Sequence, residues 1–375
     1  MDALLSHLQQ ELPEGLRLLE QMVNMDSPSS EKPLVDVLMR FIGSRFESIG
    51  GTIEYIPDQQ FGDNLRVRFA GKRPGILLLG HTDTVFPPRE AQRRPFRIAD
   101  GKATGPGVFD MKAGIVLMWL ALRALTQAKV MPENEVTVLL TSCEEVGSVS
   151  SRYLVEAEAR VAKAVLVMEP SLPGGALKTA RKGVGRFTLK SIGRAAHAGV
   201  DPEKGVNAIE EIACQVLKLR SLNRPEIGTT ITVGTIQGGT QSNVVPAEAT
   251  AEVDVRVSSL EEAERITKAM QNLQPELAGA KLEISGSINR PPMERSPQTA
   301  RLFGIAQEIG REIGLELNEG STGGGSDGNF TAALRIPTLD GLGAVGGGAH
   351  ALYEFVEVES IPQRTALIAG LIQRL

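Results

Sequence analysis

Three short segments of the chain, at 75–80, 135–142 and 164–168, are dominated by consecutive apolar residues. This pattern is typical of strands that are buried on both faces of a sheet, because neither face meets water. Helical patterns at 114–127 and 151–159 separate the three segments. The alternation predicts an α/β fold with a mixed, mostly parallel sheet and helices on both faces.

The middle of the chain has a different pattern, with longer strands and fewer buried runs. The order is strand, helix, strand, strand, helix, strand, at 185–192, 205–219, 229–237, 249–257, 260–273 and 281–287. This is the order of a split βαβ, or ferredoxin-like, module. We therefore expect a catalytic domain made of 1–178 and 292–375, with a lid domain inserted at 179–291.

The composition narrows the class of protein. The 375 residues are 42% hydrophobic and 23% charged, which is ordinary for a globular chain and excludes a disordered one. A net charge of −5 gives no reason to expect a nucleic acid or a membrane as partner. Two cysteines, Cys143 and Cys214, are too few for a disulfide framework. The first residues lack the pattern of a signal peptide, so we expect a cytoplasmic protein, although a removed export signal would leave no trace.

Ionisable residues follow each of the three apolar segments. His81 follows the first, Glu144 and Glu145 follow the second, and Glu169 follows the third, while Asp110 lies in a glycine-rich turn before a helix. Ligands of open α/β sheets bind outside the carboxyl ends of the strands. Charged groups gathered there are costly to bury unless a cation or a substrate compensates them. Imidazole and carboxylate groups together suit zinc and its neighbours.

The chain resembles the dinuclear zinc exopeptidases, a family that includes glutamate carboxypeptidases, acetylornithine deacetylases, succinyl-diaminopimelate desuccinylases and aminoacylases. The resemblance rests on GHTDTV, GPGVFDMKAG, TSCEEVGS, MEPS, AAHAG, STGGGSDG and GAHALYEFV, which occur in the family's order over nearly the whole chain. TDTVF after His81 and GGGSD near the C-terminus favour the glutamate carboxypeptidase branch.

The resemblance implies a site for two divalent metal ions. One ion would be held by His81 and Glu169, the other by Glu145 and His350, with Asp110 bridging the two. Zinc is the expected metal, and cobalt or manganese would tolerate the same ligands.

The resemblance also implies the groups that carry the chemistry. Glu144 matches the general base, which takes a proton from the attacking water and returns it to the leaving amine. Asp83 matches the carboxylate that orients His81 by accepting its other ring N–H. The expected activity is that of a metallopeptidase, a hydrolase that cleaves an amide bond next to a free carboxylate. The favoured reaction is a carboxypeptidase that releases C-terminal glutamate or a similar residue, and the alternative is an N-acyl amino acid deacylase.

Residues of the predicted lid would bind the small peptide or N-acyl amino acid substrate. By resemblance, His197 reaches the active site of a partner subunit, so we expect a homodimer formed through the lid. Asn243 and Arg256 match lid residues that hold polar groups of the substrate. Arg290 is a candidate for the substrate carboxylate or for an interdomain salt bridge, and Gly324 lies in a glycine run whose N–H groups suit the same anion.

Two other classes of function remain open. Residues 324–328 fit the G-x-S-x-G pattern around Ser326, and Asp340 and His350 follow in the order found in serine hydrolases. That interpretation leaves the ionisable residues at the strand ends without a role. A non-catalytic binding protein on the same scaffold is the other alternative. Glu144 argues against it, because a binding site has no use for a carboxylate that is not a ligand.

Overall fold

A computed structural model describes residues 1–375 as two compact units. The larger unit comprises Met1–Ala180, Arg295–Thr322 and Ser326–Leu375. The inserted unit comprises Arg181–Glu294 and Gly323–Gly325. None of the helices combines the length and the apolar composition that crossing a lipid bilayer requires.

The helices and strands follow one another in three blocks. The chain begins with α1 (Asp2–Val23), α2 (Lys32–Glu47), β1 (Thr52–Ile56), β2 (Asn64–Phe69), β3 (Lys72–His81), α3 (Glu90–Arg93), β4 (Arg97–Ala99), β5 (Lys102–Thr104), α4 (Ala113–Gln127), β6 (Asn134–Thr141), α5 (Arg152–Arg160), β7 (Ala162–Val167) and β8 (Leu177–Arg181). It continues with β9 (Gly183–Ile192), α6 (Ala208–Ser221), β10 (Thr230–Gly238), β11 (Glu248–Val257), α7 (Leu260–Gln271) and β12 (Lys281–Arg290). It ends with α8 (Pro297–Glu312), β13 (Glu319–Thr322), α9 (Gly328–Ala333), β14 (Thr338–Leu339), β15 (Gly346–Gly347), β16 (Phe355–Glu357) and α10 (Ser360–Arg374).

The main sheet of the larger unit has six strands in the order β1-β2-β6-β3-β7-β14. The pairs β3/β6, β3/β7 and β7/β14 are parallel, whereas β1/β2 and β2/β6 are antiparallel. The predicted α/β class, with a mixed and mostly parallel sheet, is therefore confirmed.

Side chains of β3 alternate between two apolar cores, one on each face of the sheet. Ile76 and Leu78 belong to the core that also contains residues of α1, α4 and α10, whereas Leu77 and Leu79 belong to a second core with residues of α5 and α9. All four are at most 1% exposed. Such burial contributes roughly 1.5–3 kcal/mol per side chain and explains the unbroken apolar run. The stability of this strand holds its carboxyl end, and so His81, in place.

The inserted unit is a four-stranded antiparallel sheet in the order β10-β11-β9-β12, with α6 and α7 contributing to a single apolar core. Side-chain caps set where the two helices begin. Asn207 Oδ1 accepts N–H bonds from Ile209 and Glu210, so α6 starts at Ala208 and not at 205 as the apolar spacing predicts. Ser259 Oγ accepts the N–H of Glu262 in the same way and starts α7.

A small antiparallel sheet, β15-β16-β5-β4, completes the larger unit. In it β16 pairs with β5, with Phe355 opposite Thr104. The pairing brings the loop between β15 and β16 beside the turn that follows β5. These two segments carry His350 and Asp110.

Candidate metal centre

Five ionisable side chains of the larger unit converge in two groups that share one member. His81, Asp110 and Glu169 form the first group, and Asp110, Glu145 and His350 form the second. Within each group the potential ligand atoms lie within 4.8 Å of one another. The sequence places these residues up to 269 positions apart (His81 to His350), so only the fold brings them together.

The shared carboxylate presents a different oxygen to each group. His81 Nε2 lies 3.3 Å from Asp110 Oδ1 and 3.4 Å from Glu169 Oε1. His350 Nε2 lies 3.2 Å from Asp110 Oδ2 and 3.1 Å from Glu145 Oε2. This arrangement is the one that a carboxylate bridging two cations requires.

Four of these residues lie just after a strand of the main sheet or just before a helix, and the fifth, His350, lies in a loop of the small sheet. His81 is the last residue of β3, and Glu169 follows β7. Glu145 lies in a 3₁₀ turn, four residues after the last residue of β6. Asp110 lies in a turn just before α4, and its own backbone is not helical (φ −116°, ψ 94°). His350 lies in the loop between β15 and β16. Parallel strands end at one edge of a sheet, which is why residues distant in the sequence meet there.

The pKa shifts in the centre show that its carboxylates favour a positively charged neighbour. Contacts with Asp110 and Glu145 raise the pKa of His350 to about 11. Burial by itself would raise the pKa of Asp110, but the two imidazoles outweigh it and hold that pKa below its usual range. The pKa of Glu145 is raised, chiefly by burial. The carboxylates thus stabilise any cation placed among them.

The donor set fits divalent metal ions. His81 Nε2 and Asp110 Oδ1 are buried and make no hydrogen bond, which is costly for polar atoms unless another group satisfies them. Two groups of one imidazole and two carboxylates, joined by a bridging carboxylate, match the ligands that zinc and related ions take from proteins.

Asp83 is fully buried, and it holds more than the imidazole of His81. The Nδ1 atom of His81 lies 3.0 Å from the backbone oxygen of Asp83 and 3.4 Å from its carboxylate Oδ1. Oδ1 also accepts the N–H of Glu144 and Oδ2 that of Glu145, both at 3.1 Å. Ser29 Oγ donates to Oδ2 at 2.6 Å. The carboxylate therefore fixes the turn that carries Glu144 and Glu145, and Ser29, which the sequence did not single out, supports it.

Glu144 lies beside the centre without belonging to either group of ligand atoms. Its negative charge acts on His81 and contributes to raising the pKa of that imidazole, against the opposing effect of burial. Glu144 is partly exposed, and its backbone N–H donates to Asp83.

Glu354 is a second buried acid that sequence reasoning missed. Its Oε1 accepts N–H bonds from Phe109 and Asp110, both at 2.8 Å, and its Oε2 accepts that of Gly107 at 2.9 Å. Burial raises the pKa of Glu354 to about 7, against the opposing effect of these three N–H groups. The available signal was an acidic residue four positions after His350 in an otherwise apolar segment.

Two of the predicted substrate-binding residues lie close together in the inserted unit. The backbone N–H of Ala198 donates to the backbone oxygen of Asn243 at 2.9 Å, next to His197. The ring Nδ1 of His197 accepts the N–H of Gly199 at 3.1 Å. The segment that follows His197 is largely exposed.

The glycine run is held by arginines of the inserted unit. Arg256 donates to the oxygen of Gly323 at 3.1 Å and pairs with Asp254. Arg181 donates to the oxygen of Gly324 at 3.2 Å. A Cβ atom at Gly325 would lie 2.8 Å from Cδ of the buried Arg290, so this close approach requires glycine. Arg256 and Arg290 thus both contact the glycine run that contains Gly324, and so does Arg181, which was not predicted.

The geometry argues against a serine nucleophile. Ser326 is fully buried, and its Oγ donates to Asp340 at 2.7 Å and accepts the N–H of Gly328 at 3.1 Å. His350 contacts Asp110 and Glu145 instead. A nucleophile elbow needs an exposed hydroxyl beside a histidine, and Ser326 has neither the exposure nor that partner.

The fold and the site define a metal-dependent hydrolase, and comparison with known proteins agrees. Residues 77–374 match peptidase family M20/M25/M40. The chain belongs to this family, and it is a hydrolase that acts on amide bonds.

Two relatives in sequence and one solved structure show what the chain is similar to. Carboxypeptidase G2 of Pseudomonas sp. (strain RS-16) is 30% identical over 373 residues, which cover 97% of this chain and 90% of that protein. Succinyl-diaminopimelate desuccinylase of Rhodospirillum centenum (strain ATCC 51521 / SW) is 28% identical over 361 residues, which cover 89% and 90%. The crystal structure of aminopeptidase PepT from Bacillus cereus ATCC 10987 has the same fold, with a TM-score of 0.80, 24% identity and coverage of 96% and 98%.

Proposed function

We propose that the protein is a metallo-carboxypeptidase that releases glutamate or a similar residue from the carboxyl end of a small peptide or acylated amino acid. The two groups of ligands that share Asp110 are the observation that carries the proposal. The similarity to carboxypeptidase G2 supports the choice of substrate class.

His81 and Glu169 would hold one ion, Glu145 and His350 the other, and Asp110 would bridge them. Two divalent ions at one site supply an acidified water and an electrophile for the amide carbonyl. Zinc is the ion that we propose, and cobalt or manganese suit the same donors.

The remaining steps belong to side chains of the protein. Glu144 takes the proton of the attacking water and transfers it to the nitrogen of the leaving amine. Asp83 fixes the ring of His81 and the backbone of Glu144, so that the position of the base relative to the ligands stays constant.

We further propose that the inserted unit recognises the substrate. Guanidinium groups bind carboxylates in a bidentate manner, which suits Arg256 and Arg290 to the free carboxylate, with the N–H of Gly324 as an additional donor. Asn243 would hold a polar group of the same substrate. His197 would stabilise the oxyanion in a second subunit of a homodimer, and the exposure of its segment supports this role.

An N-acyl amino acid deacylase is the second candidate, and the similarity to succinyl-diaminopimelate desuccinylase favours it. Both candidates place a carboxylate next to the scissile amide. A carboxypeptidase recognises the amino acid that is released from the carboxyl end, whereas a deacylase recognises the acyl group that is removed from the nitrogen.

The test is a release assay with zinc-loaded protein and three substrates side by side: folate, N-acetylornithine and N-succinyl-diaminopimelate. We expect release of glutamate from folate, and loss of the activity in a chelator. Glu144→Gln should lower kcat by about 10²- to 10⁴-fold with unchanged metal content. Glu156→Gln, on α5, is the matched control.

Three results would contradict parts of this proposal. Wild-type protein that is inert on a broad panel of acyl amino acids and dipeptides would favour a binding protein. Release of succinate or acetate alone would favour the deacylase. Glu144→Gln with more than a tenth of the wild-type kcat would remove Glu144 as the base.

A further inference from the structure

The bridging carboxylate is carried by a turn whose backbone is unusually well anchored. Residues 107–110 direct three N–H groups towards one buried carboxylate, that of Glu354. Glu354 is completely buried and 244 positions away from Asp110 in the sequence. A carboxylate that accepts several N–H bonds in a buried place holds its donors strongly, because each bond is charge-assisted.

We propose that Glu354 is a positioning residue for the metal centre. Its carboxylate fixes the backbone that carries Asp110, so that one oxygen of Asp110 faces each group of ligands. The inference deepens the proposed function and rests on the metal centre described there. One of the three bonds comes from the backbone N–H of Asp110 itself, at 2.8 Å.

Glu354 also links the positions of two members of the second ligand group, His350 and Asp110. It lies four residues after His350, in the loop that ends at β16, so one short segment supplies a ligand and the anchor of the bridging ligand. A shift of this segment would therefore move His350 and Asp110 together.

Other contacts hold the beginning of the turn but not the part that carries the ligand. The buried Lys112 donates to the backbone oxygens of Met25, at 2.9 Å, and Pro106, at 3.4 Å. Gly107 has a φ of 72°, and a Cβ atom there would lie 2.6 Å from Thr84 Cγ2. These features fix residues 105–107 and leave the N–H groups of residues 109 and 110 to Glu354.

The test compares Glu354→Gln and Glu354→Ala with Glu357→Gln, a control on the adjacent β16. Glutamine keeps one acceptor oxygen and places an NH₂ group against at least one backbone N–H, whereas alanine removes all three acceptor contacts. Mutation of a group that hydrogen-bonds to a metal ligand typically lowers metal affinity 10- to 100-fold. We expect zinc affinity, measured by competition with a chromophoric chelator, to fall about 10-fold in Glu354→Gln and about 100-fold in Glu354→Ala.

Two further readouts separate positioning from a contribution to folding alone. With saturating Co²⁺, the visible absorption band of the variants should change in intensity or position, while that of Glu357→Gln should match wild type. On a cleaved substrate, kcat should fall while KM stays within about twofold, because substrate recognition is untouched.

Zinc affinities of Glu354→Gln and Glu354→Ala within twofold of wild type, with the loss confined to thermal stability, would overturn the inference. If Glu354→Ala does not fold, Glu354→Gln decides alone by the same criterion. A wild-type protein that binds two ions but cleaves nothing would refute the proposed function and leave the affinity comparison valid. Wild-type protein that binds no zinc would refute both.

Discussion

A buried cation without a carboxylate partner offers a sharp test of how the region around Glu169 is held. Arg364 of α10 is 1% exposed and donates to three backbone oxygens, those of Gly343 and Gly175 at 2.9 Å each and that of Gly341. The N–H of Gly343 in turn donates to the backbone oxygen of Glu169 at 2.9 Å. Replacing Arg364 by methionine keeps an unbranched apolar side chain that fills the space of the arginine methylenes, and it removes all three bonds.

The expected loss follows from two opposing contributions. Hydrogen bonds from a charged donor contribute about 1.5–3 kcal/mol each, so the three bonds together amount to about 4–9 kcal/mol. Burial lowers the pKa of Arg364 from its ordinary 12.5 to about 10, which corresponds to a penalty of about 3 kcal/mol on the charged form. The difference predicts that Arg364→Met lowers the free energy of unfolding by about 1–6 kcal/mol.

The fluorescence of Trp119 provides the assay. It is the only tryptophan of the chain, it is 4% exposed, and it lies on α4 in the larger unit, so urea unfolding followed by its emission reports that unit. Measurements in a chelator remove any contribution of bound metal. Arg374→Met is the matched control, because Arg374 lies on α10 like Arg364 but forms a surface pair with Glu312 of α8. The change should alter stability by less than about 1 kcal/mol. A change in Arg364→Met no larger than that of the control would refute the reasoning.

The remaining predictions concern the metal centre and the inserted unit. Asp83→Asn should cost about 1–3 kcal/mol of stability in metal-free protein, measured by the same unfolding assay, because the amide cannot accept from both Glu144 and Glu145; an unchanged midpoint would contradict this. Zinc at 1,000 times its Kd should stabilise the protein by about 4 kcal/mol, seen as a higher Tm that a chelator reverses. Hydrogen bonds from Arg265 lower the pKa of Glu262 to about 2. The contribution of the Glu262 carboxylate to folding stability is therefore complete above the ordinary glutamate pKa of 4.5 and is lost as the pH falls towards 2. The protection of the α7 amides against hydrogen exchange, relative to the intrinsic exchange rate at each pH, should therefore fall below pH 4.5 in wild type and depend less on pH in Glu262→Gln.

The sequence predicted the elements on which the centre is built, because local patterns report local structure. The unbroken apolar run before His81 becomes a strand buried on both faces, as expected, and extends slightly further at each end, from Lys72 to His81. Periodicity placed the start of α6 three residues too early, since it does not register the cap that Asn207 supplies. The ligand types were visible because a charged residue directly after a buried strand is conspicuous.

Contacts between distant segments were not visible in the sequence. Ser29 supports Asp83 across 54 positions, and Glu354 supports Asp110 across 244. No neighbour of Ser29 in the sequence marks its role, and the one signal for Glu354 was its position four residues after His350 in an apolar segment. The arginine cluster around residues 323–325 likewise depends on where a later segment returns to the inserted unit.

The chain by itself therefore determined the class of fold and the chemical types of the candidate ligands, since apolar periodicity and residue identity are encoded position by position. Tertiary structure alone decided that Asp110 turns one oxygen to each histidine, and which buried groups hold it there. The reason is physical: a hydrogen bond depends on distances of a few tenths of an ångström, and those are set only when loops from opposite ends of the chain pack against a common core.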